Sequence, residues 1–354
     1  MWHIRPLNHK SHPTFPSHTS CSYPNVSVII PARNESHNIV RLLQSLKCQT
    51  FPPLEVVVVD DDSTDDTANI AKQLKSKVIS IKGPPVGWCG KSWACWQGVQ
   101  NSSGDLLLFL DADTWMETHG IEMIVSAHSE YGGMISTHPF HVTQKFYEQF
   151  SAFFNIVSMA GINAFTPLGT RLQPRGAFGQ CMACSREDYL KVGGHSAVKG
   201  EIIEDVELAI VFSKHSLPVT CFGGQDTISS RMYPDGFRQL VEGWSKNLGS
   251  GAFHIRTSFL LMIFMWITGA FQSFLTLALS LTPPTQITPL YTIPYVLYTI
   301  EIGWILKRIG NFHTWVIVLF PIPLIFFAII TTRSLILTYF LKRVKWKGRT
   351  IATT

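Results

Sequence analysis

Short apolar runs alternate with amphipathic stretches through the first third of the chain, which predicts strands separated by helices. Between the runs, apolar residues recur at helical spacing, as at Ile39, Leu42 and Leu46. Repetition of strand, helix and strand predicts right-handed βαβ units and a mostly parallel, Rossmann-like sheet. The fold class is therefore α/β. The predicted strands are Val26–Ile30, Glu55–Val59, Val78–Ile81 and Leu106–Leu110.

The last hundred residues have a different pattern, because apolar residues there form long blocks. Ser258–Leu281 is free of charged residues and long enough to cross a bilayer, which takes about 20 helical residues. Thr288–Leu306 is a second candidate, with Glu301 as its only acid. Phe312–Leu341 is a third, although prolines and Arg333 interrupt it. The pattern predicts a C-terminal transmembrane helical region.

Basic residues predict how these segments are oriented. Lys307 and Arg308 follow the second candidate, so the positive-inside tendency places them in the cytoplasm with the N-terminal domain. The third segment either crosses once or folds back as two short helices, and the basic tail favours a return to the inside. We therefore expect a multi-pass protein of the cell membrane, divided into a flexible leader (1–24), an α/β domain (25–256), transmembrane helices (257–341) and a basic cytoplasmic tail (342–354).

Composition agrees with membrane attachment and excludes a nucleic-acid partner. Of the 354 residues, 46% are hydrophobic and only 15% are charged, and the mean hydropathy is +0.16. The net charge is +5, yet no basic run is interleaved with aromatic residues as nucleic-acid binding requires. The seven cysteines are scattered, which favours a reducing compartment over a disulfide framework.

Acidic residues follow two of the predicted strands. Asp60–Asp62 follows the second, and Asp111-Ala112-Asp113 follows the fourth. Ligands of parallel sheets bind at the carboxyl ends of strands, and Mg2+ is often held by one or two carboxylates plus substrate phosphates. Glycine-rich motifs for dinucleotides or nucleoside triphosphates are absent from the sequence. The pattern predicts a nucleotide whose diphosphate is bound through a metal ion.

Four motifs in order resemble a known family. Pro31–Glu35, Asp60–Asp65, Asp111–Asp113 and Ile203–Asp205 have the order and spacing found in inverting, family 2 nucleotide-sugar glycosyltransferases. The resemblance extends from about Val26 to Gly251 and implies the GT-A fold with a UDP-sugar donor. It also implies that Asp111 and Asp113 bind the sugar nucleotide and its Mn2+ or Mg2+. The residues implied in the uridine pocket are Pro31, Arg33, Glu35 and Asp61.

The same resemblance implies that Asp205 is the catalytic base, with Glu204 beside it. Inverting displacement at an anomeric carbon needs a base opposite the leaving group, to take the acceptor proton. It also needs charge neutralisation on the departing diphosphate, which a metal supplies. The alternative is an acidic helix start, where the helix dipole favours carboxylates.

Further residues are implied in donor or acceptor binding. Gly87–Lys91 resembles a stretch found in members of this family that act on lipids, which implies that Lys91 contacts a phosphate or a base. The alternative is a solvated lysine at the start of a helix. Arg231, Trp244 and Lys246 fall in the segment that carries Gln-x-x-Arg-Trp in polymerising synthases. That motif is absent here, which favours single transfer. We interpret His195 as a fold position, not a ligand.

A membrane-attached sugar transferase is expected to use a lipid acceptor. The chain resembles bacterial carotenoid-acid glycosyltransferases, with hopanoid- and ceramide-type enzymes as alternatives. A carboxylic acid is ionised near neutral pH, which would leave Asp205 little proton to remove. Two rival classes are a membrane transport component and a catalytically inert nucleotide-binding protein. The intact Asp111, Asp113 and Asp205 argue against both.

Overall fold

The computed structural model describes residues 4–7, 24–165, 173–201, 203–251, 257–281, 289–337, 343–346 and 349–352. The chain forms two compact units. The first, called the sheet unit, comprises Ile4–Phe140 and Thr170–Arg231. The second, called the helical unit, comprises mainly His141–Gly169 and Met232–Thr354. The predicted domains divide the chain consecutively, whereas these units interleave in sequence.

The sheet unit contains a seven-stranded sheet of order β3-β2-β1-β4-β8-β6-β9. Strands β1, β2, β3 and β4 are parallel to one another, and β8 runs antiparallel to β4 and β6. The short strands β5 and β10 pair antiparallel outside this sheet. In chain order the strands are β1 (Val26–Ala32), β2 (Glu55–Asp61), β3 (Lys77–Ile81), β4 (Leu106–Leu110), β5 (Thr114–Met116), β6 (Met134–His138), β7 (Phe140–His141), β8 (Cys181–Ser185), β9 (Val219–Gly223) and β10 (Ile228–Ser230).

Helices connect these strands and cover the sheet. The apolar side chains of the first helix, predicted from their spacing, are buried. All five residues of β4 are also buried, as expected for a strand covered on both faces. The predicted α/β class with a mostly parallel sheet is confirmed. The helices are α1 (Ile39–Lys47), α2 (Thr67–Gln73), α3 (Gly90–Gln100), α4 (Gly120–Tyr131), α6 (Arg186–Lys191) and α7 (Glu204–Lys214).

Hydrogen bonds between two loops fix the carboxyl edge of β1 and β2. Asn34 accepts the backbone N–H of Thr64 on its Oδ1 at 2.8 Å, and its own N–H donates to Ser63 Oγ at 2.9 Å. Asp65 accepts hydrogen bonds from Ser36 and Thr67, which together hold the pKa of its carboxyl at about 2 against the effect of burial. The loops after both strands are therefore locked together beside the candidate site.

The helical unit contains one helix long and apolar enough to cross a membrane among the described residues, namely α9. Glu301, Lys307 and Arg308 lie in α10 (Pro289–Ile309), which also contains Pro294. The described part of the third predicted segment forms two short helices, as in the folded-back alternative, and whether this segment crosses a membrane stays a prediction. The predicted multi-pass topology is therefore not supported. The helices are α5 (Ala152–Gly161), α8 (Phe237–Gly251), α9 (Thr257–Ser280), α10 (Pro289–Ile309), α11 (Thr314–Val318) and α12 (Pro321–Leu335).

Both ends of the chain are partly described. Within the predicted leader, residues 4–7 lie along β9, where the N–H of Gly223 donates to the carbonyl of Arg5 at 2.8 Å. Ile4 and Leu7 are buried there. Within the predicted tail, β11 (Arg343–Trp346) and β12 (Arg349–Ala352) pair as an antiparallel hairpin. The remaining residues of both segments lie outside the described residues.

Candidate active site

Lys91 lies at the centre of a charged cluster at the carboxyl edge of the sheet. Its ammonium is 2.8 Å from Asp111 Oδ1 and 3.1 Å from Glu204 Oε1. Lys91 belongs to the first turn of α3, Asp111 directly follows β4, and Glu204 begins α7. Three segments that are distant in sequence therefore converge on one cation.

Burial and charge act against each other in this cluster. Burial raises the pKa of Asp111, and the Lys91 ammonium only partly offsets it. Burial also acts to raise the pKa of Glu204, but Lys91 and hydrogen bonding hold that pKa below its ordinary value. The pKa of Lys91 is well above its ordinary value, because the carboxylates outweigh the desolvation that would lower it. The lysine is therefore ionised and acts as an internal counter-ion.

Asp205 lies beside this cluster and is held by two backbone N–H groups. Gly179 donates to Asp205 Oδ2 at 2.8 Å, and Val206 donates to Oδ1 at 2.9 Å. Desolvation by burial and the neighbouring Glu204 raise the pKa of Asp205 to about 6. A carboxylate of this pKa is mostly ionised at pH 7 yet basic enough to accept a proton, which is the property required of a general base.

Gly179 links the base to the lysine through its backbone. Its N–H donates to Asp205, and its carbonyl accepts a long contact of 3.4 Å from Lys91. A Cβ at this position would lie 2.6 Å from Asp205 Oδ2. Only glycine lets the chain approach the carboxylate so closely. No sequence motif points to Gly179, because its approach to Asp205 depends on the pairing of β8 with β4.

The candidate nucleotide pocket lies at the ends of β1 and β2. Arg33 Nη1 is 3.2 Å from the carbonyl of Asp61 and 3.5 Å from its Oδ2. Asp61 is buried, and its Oδ1 has no hydrogen-bond partner among the described residues. Pro31 lies next to β2 in the parallel ladder, and Glu35 accepts a hydrogen bond from Asn38 at 2.7 Å. The structure thus brings all four predicted pocket residues to one edge of the sheet.

The predicted metal ligands are the two carboxylates of Asp111 and Asp113, which lie just after β4. Asp113 is half-buried and follows Asp111 by two positions. Ser230 pairs with Thr114, so Arg231 lies at the same end of the β5–β10 ribbon as Asp113. Within the described part of the chain, no group of three or more His, Cys, Asp or Glu side chains could hold a metal ion. Two hard carboxylates fit a divalent cation that takes its other ligands from phosphates and water. Both oxygens of Asp111 contact Lys91, so a metal at Asp111 competes with the lysine.

Two further predicted residues belong to the helical unit. Trp244 is buried there, stacks on Phe154 with a centroid distance of 4.7 Å, and donates its indole N–H to Ser151 Oγ at 3.0 Å. Its indole is therefore part of the core of that unit. Lys246 lies in α8, and its side chain is outside the described residues. Their assignment to acceptor or diphosphate binding stays a prediction.

Comparisons with known proteins identify the family. The model of glycosyl transferase family 2 matches residues 27–190. The 4,4'-diaponeurosporenoate glycosyltransferases of Staphylococcus aureus strains USA300 and MRSA252 are each 35% identical over 328 residues, which is 92% of this chain and 87% of theirs. Among solved structures, a mannosyltransferase from Pyrobaculum calidifontis in complex with GDP-Man and Mn2+ has a TM-score of 0.48 at 15% identity. The match spans 96% of this chain and 85% of the mannosyltransferase chain. Glucosyl-3-phosphoglycerate synthase from Mycobacterium tuberculosis, in complex with Mn2+, UDP and glucosyl-3-phosphoglycerate, has a TM-score of 0.42 at 21% identity, and the match spans 66% of this chain and 80% of the synthase chain. On the sequence matches, the chain belongs to glycosyl transferase family 2 and is a glycosyltransferase.

Proposed function

We propose that this glycosyltransferase moves a hexose, with glucose as the first choice, from a UDP-sugar to a lipid that carries a carboxylic acid, with inversion at the anomeric carbon. The observation that carries the proposal is the position of Asp205, a carboxylate with a pKa of about 6 beside the Lys91 cluster. The name of the S. aureus relatives supports an acceptor of the carotenoid-acid class.

The uridine end of the donor is assigned to the pocket at β1 and β2. Asp61 Oδ1 is a buried acceptor without a partner among the described residues, and buried polar atoms are almost always hydrogen-bonded. The imide N–H of uracil or a ribose hydroxyl supplies the missing donor. Arg33 holds Asp61 in place through the contacts at 3.2 and 3.5 Å.

The diphosphate is assigned to Lys91, Asp111, Asp113 and Arg231. A divalent cation, Mn2+ or Mg2+, on Asp111 and Asp113 would act as a Lewis acid on the leaving diphosphate. Lys91 is an ionised ammonium that already spans Asp111 and Glu204, and a phosphate oxygen offers it a stronger anionic partner. The chain itself therefore supplies positive charge on the leaving-group side.

Asp205 is assigned the acceptor proton. A lipid carboxylic acid that enters apolar surroundings has a raised pKa and arrives partly protonated. Asp205 is mostly ionised at pH 7 and takes that proton, so that the acceptor carboxylate oxygen attacks the anomeric carbon and UDP leaves. For a hydroxyl acceptor, Asp205 takes the proton in the same position. The two backbone N–H donors keep its carboxylate oriented in either case.

Membrane attachment is assigned to α9. This helix carries large apolar side chains that are exposed, including Phe264 and Met265 at 65% and 63%. Such a surface is unfavourable in water and suits a bilayer. We place the enzyme at the cell membrane with its catalytic residues on the cytoplasmic side, where the UDP-sugar is available and where Lys307 and Arg308 satisfy the positive-inside tendency.

The test is release of UDP from UDP-glucose by the full chain in detergent, with Mn2+ or Mg2+ and lipid extract. We expect turnover that requires the metal and the lipid, and that is lost in Asp113→Ala and Asp205→Asn. Glu130→Ala is the matched control, since Glu130 is an exposed carboxylate near the end of α4. Mass spectrometry of the product distinguishes a carotenoid-acid ester from a hopanoid or ceramide glycoside. Failure to turn over any nucleotide sugar with any lipid would refute the proposal in favour of an inert or transport protein.

A further inference from the structure

His195 is a buried titratable residue that the proposed chemistry does not yet use. It lies in a short 3-10 helix (Gly194–Val198) and has no exposed surface. Gly193 and Gly194 before it have φ values of 80° and 49°, and a Cβ on Gly194 would lie 2.2 Å from the Tyr189 ring. These two glycines therefore allow the chain to press the imidazole against Tyr189 and Phe109, with centroid distances of 5.7 and 5.1 Å.

The hydrogen bonds of Tyr189 determine which ring nitrogen of His195 carries the proton. The Tyr189 hydroxyl accepts the backbone N–H of His195 at 3.0 Å and lies 2.8 Å from Nδ1. Since no other acceptor for the hydroxyl proton is found among the described residues, we assign this proton to a hydrogen bond with Nδ1. The ring proton is then on Nε2. Burial lowers the pKa of His195 to about 4, so the ring is neutral at pH 7.

The Nε2–H group is a buried donor without an acceptor. No hydrogen-bond partner of Nε2 is found in the part of the chain that the structure describes. Unsatisfied buried donors are rare in native proteins and call for an explanation, such as a partner that arrives in another state of the site. The charged groups whose fields act on the ring are Glu204 and Lys91. The 3-10 helix of His195 contacts both α7, which begins at Glu204, and α3, which carries Lys91.

We propose that His195 is a positioning residue, whose Nε2–H donates to the Glu204 carboxylate when the donor diphosphate draws Lys91 away. This inference rests on the proposed function, because it requires a diphosphate in the site. Glu204 is buried, and a buried carboxylate that loses its cation is strongly destabilised. A charge-assisted N–H···O bond replaces the lost ammonium without adding a charge. Since Glu204 and Asp205 are neighbours at the start of α7, holding Glu204 keeps the base oriented during transfer.

The first experiment observes the proton directly. The full chain is labelled with ¹⁵N-histidine in detergent, and the His195 signal is identified by its loss in His195→Phe. We expect addition of UDP and Mg2+ to move the Nε2–H proton downfield, as for a hydrogen bond to a carboxylate, and Glu204→Gln to reduce this shift. Absence of UDP binding to the wild type would overturn the proposed function together with this inference. Binding of UDP with an unchanged Nε2–H signal would overturn the inference alone.

The second experiment separates positioning from folding. His195→Phe keeps an aromatic ring but removes the donor, and we expect kcat to fall roughly tenfold or more with the KM for UDP-glucose nearly unchanged. His195→Gln retains an N–H donor and is expected to recover most of the lost rate. In the Glu204→Gln background, His195→Phe should change kcat by less than about twofold, because the two residues act together. Equal losses in both backgrounds, or equal losses in the Phe and Gln variants, would show a structural role and refute the inference.

Discussion

Replacement of Asp205 by Asn is expected to abolish transfer and to stabilise the fold. The two effects have one physical cause. Burial and the neighbouring Glu204 raise the pKa of Asp205 from 3.8 to about 6, so its ionised form is less favourable in the folded chain than in the unfolded chain. Because the pKa is raised, this penalty is full above pH 6 and disappears as the pH falls below the unfolded value.

The magnitude follows from the shift. A difference of about 2 pKa units corresponds to about 3 kcal/mol at pH 7, and this is an upper bound because the side chain is only half-buried. Asn keeps one of the two acceptors for the N–H groups of Gly179 and Val206 and loses the other, which costs about 1 kcal/mol. The net expectation is about 1–2 kcal/mol of added stability at pH 7. Removal of a general base lowers the rate by about 10²- to 10⁴-fold.

Thermal unfolding of the full chain in detergent measures the first effect, and UDP release measures the second. We expect Asp205→Asn to raise the apparent Tm by roughly 2–4 °C at pH 7 and by about half as much at pH 5. The neighbouring Glu204→Gln is the matched control with the opposite sign, because the pKa of Glu204 lies below its ordinary value and its charge stabilises the fold. A lower Tm for Asp205→Asn at pH 7 would refute the reasoning.

Three further predictions use the same assays. With Asp205 as the base, kcat is expected to fall as the pH drops through about 6, because the protonated carboxyl cannot accept a proton. A kcat that stays constant down to about pH 5 would contradict that role. Lys91→Met is expected to weaken UDP binding and to lower the free energy of unfolding by about 1–3 kcal/mol, which is less than for a fully buried pair because the Lys91 side chain is one third exposed. An unchanged affinity for UDP in isothermal titration would contradict the assignment of Lys91 to the diphosphate. Gly179→Ala should reduce transfer, since its Cβ would lie 2.6 Å from Asp205 Oδ2. The control is Gly200→Ala, whose Cβ would have no neighbour nearer than 3.6 Å. Equal activity of the two variants would count against a need for glycine beside Asp205.

The parallel strands could be predicted because local pattern determines them. The run Leu106–Leu110 is apolar throughout and becomes a fully buried strand, and Asp111 then falls at the carboxyl edge by necessity. The places of β6, β8 and β9 in the sheet were not predicted, since a segment such as Cys181–Ser185 contains small and polar residues without a clear alternation. Their positions depend on pairing with β4, which is a long-range event.

The same distinction explains the site. Asp61 and Asp111 could be placed at the same edge because Asp61 ends β2 and Asp111 follows β4, and these strands belong to one set of parallel strands. The ion pair of Lys91 with Glu204 could not be predicted, because α3 and α7 meet only after the sheet has formed. The role given to His195 in sequence analysis, a fold position, accounts for its contact with Tyr189 but leaves its Nε2–H unexplained.

The formal charges of the cluster explain why the site depends on its donor. Asp111, Glu204 and Asp205 bring three carboxylates together, whereas Lys91 is the cation that the described contacts place among them. One ammonium cannot neutralise three carboxylates, and burial together with the neighbouring Glu204 raises the pKa values of Asp111 and Asp205. An anionic acceptor that enters this cluster alone meets net negative charge. A divalent cation on Asp111 and Asp113 would offset the negative charge of the diphosphate, so metal and donor together would add little net charge to the cluster. We therefore expect donor binding to depend on the divalent cation, because a diphosphate without it would meet the same net negative charge that opposes an anionic acceptor.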